Sequence, residues 1–353
     1  MAALPENLLI PSALYSLNPE LMAGYVPGVD MPIVERAPEV GDVHFAEVVE
    51  VGQHTELESK SGRIHQVLTP GYRFPVVFGN RYATDSYEAR LPERPQRNVD
   101  LVARSGMAAV VHELARGRVG TPTTLRLLGP IVDPGGRPLN TIEHGLPADG
   151  ASVTGYPRAP MILVVGTSMN AGKSTTAVAA GRALIAAGLR VRASKVTGTA
   201  SLKEILNMAD AGAVGVSDFT FLGYPATYLL SSETVVDIFN RLDRHEANNP
   251  EEVWVVELAD GVLQRETAML LSSPDVQNRI DRLVLCAADA CGALGAIGEL
   301  KERYGLAPDV ISGIVGSSPL ARAELSRLTD IAVCDARQAD TTPFVNALTT
   351  PLA

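Results

Sequence analysis

The chain has 353 residues, which is enough for two domains of ordinary size or three smaller ones. Hydrophobic residues make up 46% of it and charged residues 20%, a balance that excludes a largely disordered chain. Asp and Glu number 40 against 30 Lys and Arg, so the net charge is −10. Such a surface repels polyanions, and we therefore expect no general binding of nucleic acid.

Features of membrane and secreted proteins are missing from the sequence. No apolar run reaches the roughly 18 residues that a membrane span requires. The start, MAALPENLLI, lacks the basic residues and the cleavage site of a signal peptide. The three cysteines (Cys286, Cys291 and Cys334) are too few for a disulfide framework or a zinc site. We therefore expect a cytoplasmic protein without a membrane partner.

Residues 1–145 are predicted to form a smaller, mostly β N-terminal domain. Short alternating runs at 43–51, 63–69 and 74–80 are typical of strands, and 124–140 predicts two strands around Pro-Gly-Gly. Closure of the sheet on itself would hide its edges. Residues 146–160 are rich in Gly and Pro and predict a linker.

Residues 161–353 are predicted to form an α/β domain. MILVVG (161–166) is a continuous apolar strand, and 173–188 is an Ala-rich helix that ends on a glycine. Further strands are predicted at 189–196, 251–260 and 281–289. Buried strands that alternate with helices indicate a parallel sheet with helices on both faces.

A phosphate-binding loop lies between the first strand and helix of this domain. A helix N-terminus after a glycine offers backbone N–H groups and a positive dipole end to an anion. Lys173 would neutralise the β and γ phosphate oxygens, and the Ser174 hydroxyl would bind Mg²⁺. The candidate nucleotide-binding residues are Gly166, Thr167, Asn170, Ala171, Gly172, Lys173, Ser174 and Thr175.

The loop has five residues between Gly166 and Gly172, where the common motif has four. In this it resembles dethiobiotin synthetase and its P-loop relatives. It is also similar to a bacterial P-loop family that includes a D-glutamate N-acetyltransferase, in which an N-terminal domain precedes the P-loop domain. The resemblance covers about residues 160–340 and does not extend to the β domain. It implies ATP, Mg²⁺ and a homodimer.

The same resemblance implies roles for three residues beyond the loop. Lys195 follows the second strand, where the family has a lysine, and Glu257 ends a later strand, where the family has a magnesium ligand. Asp218 is the nearest match to a further acidic residue that lies between these two. The adenine-contacting Asn of the synthetase is replaced here by Gly316-Ser317-Ser318, which leaves the choice between ATP and GTP open.

Alternatives remain for several of these residues on the sequence alone. Lys195 is a contact of the transferred phosphate or a solvated loop lysine, and Asp260 competes with Glu257 for the metal role. Asp218 belongs to a magnesium site or to an ordinary polar loop. Arg265 and Asp289 are secondary candidates, the first as a clamp for a carboxylate or phosphate.

Together these features predict an enzyme that uses ATP and magnesium to activate a small acidic substrate, such as an amino acid. Lys173 and Lys195 are the candidate catalytic residues, and Ser174, Glu257 and Asp218 the candidate metal ligands. The γ-phosphate would pass to a carboxylate, and an amide or ring would then form. Two alternatives stay open: an acyl-CoA-dependent N-acyltransferase on the same scaffold, and a regulatory or chaperone NTPase.

Overall fold

A computed structural model describes residues 9–27, 36–66, 68–115, 120–147, 157–338 and 341–349. The chain forms two compact units. The first comprises Met1–Ala148 together with Thr199–Lys203 and Phe219–Leu229, and the second comprises the remainder. The predicted linker lies mostly outside the described residues, which exclude 148–156. That residues 1–145 and 161–353 are separate domains stays a prediction.

The first unit is built mainly from short strands. They are β1 (Val26–Pro27), β2 (Val43–Glu50), β3 (Glu56–Glu58), β4 (Ile64–Gln66), β5 (Arg73–Phe78), β6 (Tyr87–Arg90), β7 (Asn98–Ala103), β8 (Met107–Leu114) and β9 (Thr123–Val132). Helix α1 (Pro19–Ala23) and three short 3₁₀ helices (Ser12–Leu14, Thr141–His144 and Phe219–Leu222) complete the described elements of this unit.

Five of these strands close into a ring. Strands β9, β2, β5, β8 and β7 are neighbours in that order, and β7 pairs with β9 as well as with β8. The alternate residues Ala46, Val48, Phe74, Val76 and Phe78 are buried in one apolar core. Closure removes most of the unpaired strand edges. The mostly β character predicted for this part of the chain is confirmed.

Residues 124–140 form one strand and not the two that the sequence predicts. Strand β9 runs to Val132, and a turn follows in which Gly136 has a φ of 82°. Beyond the turn, isolated bridges pair Pro138 with Val132 and Asn140 with Asp42. Because proline has no amide hydrogen to donate, a second ladder strand is not extended there.

The second unit alternates strands and helices. Its strands are β10 (Met161–Gly166), β11 (Arg190–Lys195), β12 (Gly215–Asp218), β13 (Glu252–Glu257), β14 (Ile280–Cys286), β15 (Val310–Ser312) and β16 (Ala332–Val333). Its helices are α2 (Lys173–Ala186), α3 (Leu202–Asp210), α4 (Ser232–Glu246), α5 (Arg265–Leu271), α6 (Pro274–Gln277), α7 (Ala290–Tyr304), α8 (Ile314–Ser317), α9 (Pro319–Leu325) and α10 (Thr342–Thr349). Helix α3 begins within the segment 199–203 that is grouped with the first unit.

All seven strands of the second unit pair in parallel, in the order β12-β11-β13-β10-β14-β15-β16. Ile162 and Val164 of β10 pack in one core with residues of α2. On the opposite face, Trp254 of β13 lies 5.6 Å from Phe239 of α4, measured between ring centroids. The predicted parallel sheet with helices on both faces is therefore confirmed. Within the described part of the chain, every helix is too short or too polar to cross a lipid bilayer.

Candidate functional site

The loop between β10 and α2 has the geometry of a phosphate cradle. β10 ends at Gly166 and α2 begins at Lys173, so residues 167–172 turn the chain from strand to helix. Asn170 and Gly172 take the left-handed conformation, with φ values of 63° and 99°. The first amide of the loop, Thr167 N, donates to Cys286 O at 2.9 Å and ties it to β14. The loop that precedes the N-terminus of α2 is therefore held in a defined backbone conformation.

Two glycines from distant parts of the chain pack directly against this loop. A Cβ on Gly261 would lie 2.4 Å from Thr167 O, and one on Gly313 would lie 2.2 Å from Ala171 O. Ile314 N also donates to Ala171 O at 3.2 Å. No side chain larger than hydrogen fits at either position without a shift of backbone. The loop is thus held on both sides by backbone.

Lys173 places a cation beneath the loop. Its side chain is 6% exposed, and Nζ donates to Ser168 O at 2.8 Å. A Cβ on Gly166 would meet the Cγ and Cδ of Lys173 at 2.9 Å, so this glycine makes room for the lysine stem. Burial lowers the pKa of Lys173, an effect that Glu257 and Asp260 oppose. A lysine in this position offers a charge-assisted hydrogen bond to a phosphate oxygen.

Ser174 and Glu257 are brought together as the sequence predicts for a magnesium site. Ser174 Oγ, in the first turn of α2, donates to Glu257 Oε1 at 2.8 Å. Glu257 ends β13 and is 5% exposed, and burial raises its pKa while Lys195 lowers it. Magnesium usually binds one or two carboxylates together with phosphate and water oxygens. The hydroxyl and the carboxylate fit that role, although the described residues contain no group of three or more His, Cys, Asp and Glu suited to a metal.

Lys195, Glu257 and Asp218 lie side by side at the carboxyl ends of neighbouring strands. Lys195 of β11 is in register with Glu257 of β13 and with Asp218 of β12. The Lys195 ammonium forms an ion pair with Glu204 of α3. Burial lowers the pKa of Lys195, but the carboxylates of Glu204 and Glu257 outweigh burial, so the pKa is raised above its usual value. Lys195 is therefore a buried cation at the mouth of the sheet, and not a solvated loop lysine.

Asp260 lies close to the same group of charges. It has a φ of 62°, which is uncommon for a residue with a side chain. Burial raises its pKa, while Lys173 and Lys195 lower it. Ser174 hydrogen-bonds to Glu257, which favours Glu257 over Asp260 as the direct metal ligand. Asp260 interacts electrostatically with both lysines of the same site.

The secondary candidates have structural partners. Asp289 caps α7 by accepting from Gly292 N at 2.7 Å. Arg265 donates to Leu230 O at 2.8 Å and pairs with Glu266. These contacts account for both side chains without a ligand.

Thr175, the last of the predicted loop residues, lines a small pocket on the β15 side of the loop. Its lining includes Thr175, Gly313, Ile314, Ser317, Asp335 and Arg337. Ser317 belongs to the segment that replaces the adenine-contacting Asn in the resemblance.

The sequence interpretation missed Glu204, Gly261 and Gly313. Glu204 stands three residues after Ser201, a spacing that is typical of a helix-capping pair and does not point to Lys195. Both glycines follow a buried strand closely, and glycine at such a position often marks close approach of another backbone. That signal does not say which backbone approaches.

Comparisons with known proteins add little to this geometry. No protein-family model matches the chain, and no curated protein matches it. Among solved structures it is similar to the signal recognition particle receptor FtsY from Elizabethkingia anophelis in complex with GDP, at 12% identity and a TM-score of 0.30. A second structure of that receptor matches at 14% identity and a TM-score of 0.27. Each match covers 47% of this chain, which spans about half (52%) of the receptor chain. Similarity this low does not support the assignment of a function. The P-loop fold of the second unit is defined instead by its own parallel sheet, loop and helix.

Proposed function

We propose that this protein binds a nucleoside triphosphate with Mg²⁺ and transfers the γ-phosphoryl group to a small carboxylate-containing substrate. The observation that supports this proposal most directly is the 2.8 Å hydrogen bond from Ser174 to Glu257 beside the buried Lys173. Ser174 and Glu257 would hold Mg²⁺, which when bound neutralises charge on the phosphate oxygens. Lys173 would bind the β and γ oxygens.

The two sides of the loop support one direction for the nucleotide. In the sheet, β13 with Glu257 lies on one side of β10, and β14 and β15 lie on the other. The charged groups are on the β13 side, and the pocket beside Thr175 is on the β15 side. This arrangement suits a γ-phosphate near Glu257 and a nucleoside beside Thr175.

Lys195 would meet the group that is transferred. The bond from the γ-phosphorus to its bridging oxygen breaks as a bond to a substrate carboxylate oxygen forms, and the nucleoside diphosphate leaves. An amine can then displace phosphate from the acyl phosphate, giving an amide or a ring. A buried ammonium at the end of β11 would stabilise charge during transfer without acting as a nucleophile. An acidic substrate such as an amino acid, ATP as the nucleotide, a homodimer and a cytoplasmic location stay predictions.

The test is phosphate release by the purified protein with Mg²⁺ and either ATP or GTP. Each reaction is run with and without a pool of amino acids and small dicarboxylates. Lys173→Ala removes the cation under the loop and should reduce release by at least about a hundredfold. The matched control is Lys301→Ala, which removes an exposed lysine of α7 and should leave the rate unchanged.

The outcomes separate the proposal from its two alternatives. Strong release that depends on a component of the pool, and that is lost in Lys173→Ala only, supports phosphoryl transfer. Slow release that is indifferent to the pool favours a regulatory NTPase. No release with either nucleotide, together with consumption of an acyl-CoA in the presence of an amino acid, favours the acyltransferase.

A further inference from the structure

The ion pair between Lys195 and Glu204 is unequal in its exposure to solvent. The Lys195 side chain is 11% exposed, whereas that of Glu204 is 30% exposed. A buried ammonium is costly to leave without a partner, whereas a partly exposed carboxylate can turn to water at little cost. Glu204 is therefore the member of the pair that can leave once another anion takes its place beside Lys195.

The backbone around Lys195 restricts where its ammonium can go. Gly198 follows β11 with a φ of 130°, and a Cβ there would lie 3.1 Å from Lys195 Cε and 3.3 Å from Nζ. The chain thus folds closely over the end of the lysine. Its charged partners are Glu204, Glu257 and Asp218, which all raise its pKa. A ligand that takes the hydrogen bond now made to Glu204 must displace that carboxylate.

Glu204 is the partner that can be exchanged. Glu257 accepts a hydrogen bond from Ser174 and is 5% exposed, and Asp218 is 2% exposed. Both end strands of the sheet, whereas Glu204 is carried by helix α3. A γ-phosphate would bring negative charge towards Glu204 while offering Lys195 new acceptors, and both effects favour release of Glu204.

We propose that Glu204 is a positioning residue whose carboxylate pairs with the Lys195 ammonium until a γ-phosphate takes the place of that carboxylate. This rests on the proposed function, because it places the γ-phosphate at Lys195. Binding of a triphosphate would break the ion pair and loosen the first turn of α3, which Leu202 N still ties to Glu58, and binding of a diphosphate would leave the pair intact. Glu204 thereby weakens triphosphate binding selectively and makes α3 sensitive to the phosphate state of the nucleotide.

The test compares triphosphate and diphosphate binding by calorimetry with Mg²⁺. The ligands are the non-hydrolysable imidotriphosphates of adenosine and guanosine and the matching diphosphates. Glu204→Gln removes the competing charge and keeps the side-chain shape. It should raise the ratio of triphosphate to diphosphate affinity roughly five- to twentyfold. Glu204→Asp should restore a ratio near that of the wild type, and Glu299→Gln, which removes an exposed ion pair on α7, should leave it unchanged.

Hydrogen exchange on the wild-type protein tests the same inference without a variant that must fold. Amides of residues 202–210 should exchange faster with the imidotriphosphate bound than with the diphosphate bound. Equal exchange in the two complexes, or an unchanged ratio in Glu204→Gln, overturns the role of Glu204 and leaves the proposed function standing. Absence of nucleotide binding that depends on Lys173 overturns both.

Discussion

Replacement of Gly313 by alanine tests whether the backbone that flanks the loop determines its phosphate-binding shape. Gly313 has a φ of 86° and a ψ of −149°, a region of backbone space that is nearly restricted to glycine. A Cβ there would lie 2.2 Å from Ala171 O, 3.0 Å from Ala287 N and 3.1 Å from Ala287 O. All three neighbours are backbone atoms, so no flexible side chain can move to make room.

The expected cost follows from these contacts. Backbone strain of this kind amounts to about 1–3 kcal/mol. Loss of the hydrogen bond from Ile314 N to Ala171 O adds about 1 kcal/mol. We therefore expect Gly313→Ala to lower the free energy of unfolding by about 2–4 kcal/mol. Because Ala171 lies within the cradle, its displacement should also weaken nucleotide binding by at least about tenfold.

Urea unfolding and calorimetric binding of a non-hydrolysable triphosphate measure the two effects. The matched control is Gly295→Ala in α7, where a Cβ meets no atom within 4 Å. That change should stabilise the helix by roughly 0.5–1 kcal/mol and leave binding unaltered. Wild-type affinity in a folded Gly313→Ala protein would refute the idea that this glycine shapes the loop.

Three further outcomes are expected. Ser174→Ala and Glu257→Gln should each reduce Mg²⁺-dependent phosphate release by about a hundredfold, and the double variant little further, because the two side chains act on one ion. Removal of Mg²⁺ with a chelator should abolish release, and added Mg²⁺ should restore it. His44 is buried, which lowers its pKa to about 4, with Asp42 raising and Arg36 lowering it. The unfolded chain takes up this proton near pH 6.5 and the folded chain only near pH 4, so stability falls as the pH drops through that window, by about 2 kcal/mol at pH 5. Urea unfolding of His44→Leu should lack this contribution to the loss between pH 7 and pH 5.

Local sequence determines the part of the site that could be predicted. A strand, a glycine-containing loop and a helix follow one another between residues 161 and 186, so the positions of Lys173 and Ser174 depend on neighbours in the chain. Glu257 follows an apolar run and Lys195 ends a predicted strand, which places both at strand ends. In a parallel sheet the carboxyl ends of the strands share one edge, and that rule brings the two residues together.

What could not be predicted depends on which distant segments meet. Gly313 lies far along the chain from Ala171, and only strand order brings β15 near the loop. Asp218 follows a Gly-containing turn, and its segment is typical of a polar loop, yet it forms the last residue of a strand beside Lys195. The pairing of Glu204 with Lys195 could not be predicted either, because it depends on how α3 packs and not on the neighbours of Glu204 in the sequence.

The charges at this edge of the sheet bear on the proposed binding of both a phosphate and a metal. Four carboxylates and two ammonium groups lie together there: Asp218, Glu204, Glu257 and Asp260, with Lys173 and Lys195. A triphosphate adds further negative charge, which two lysines do not balance. A divalent cation between Ser174 and Glu257 would neutralise part of that excess, and release of Glu204 towards solvent would remove more of it. In the proposed function, the same excess of negative charge that favours magnesium would make Glu204 the carboxylate that the γ-phosphate displaces.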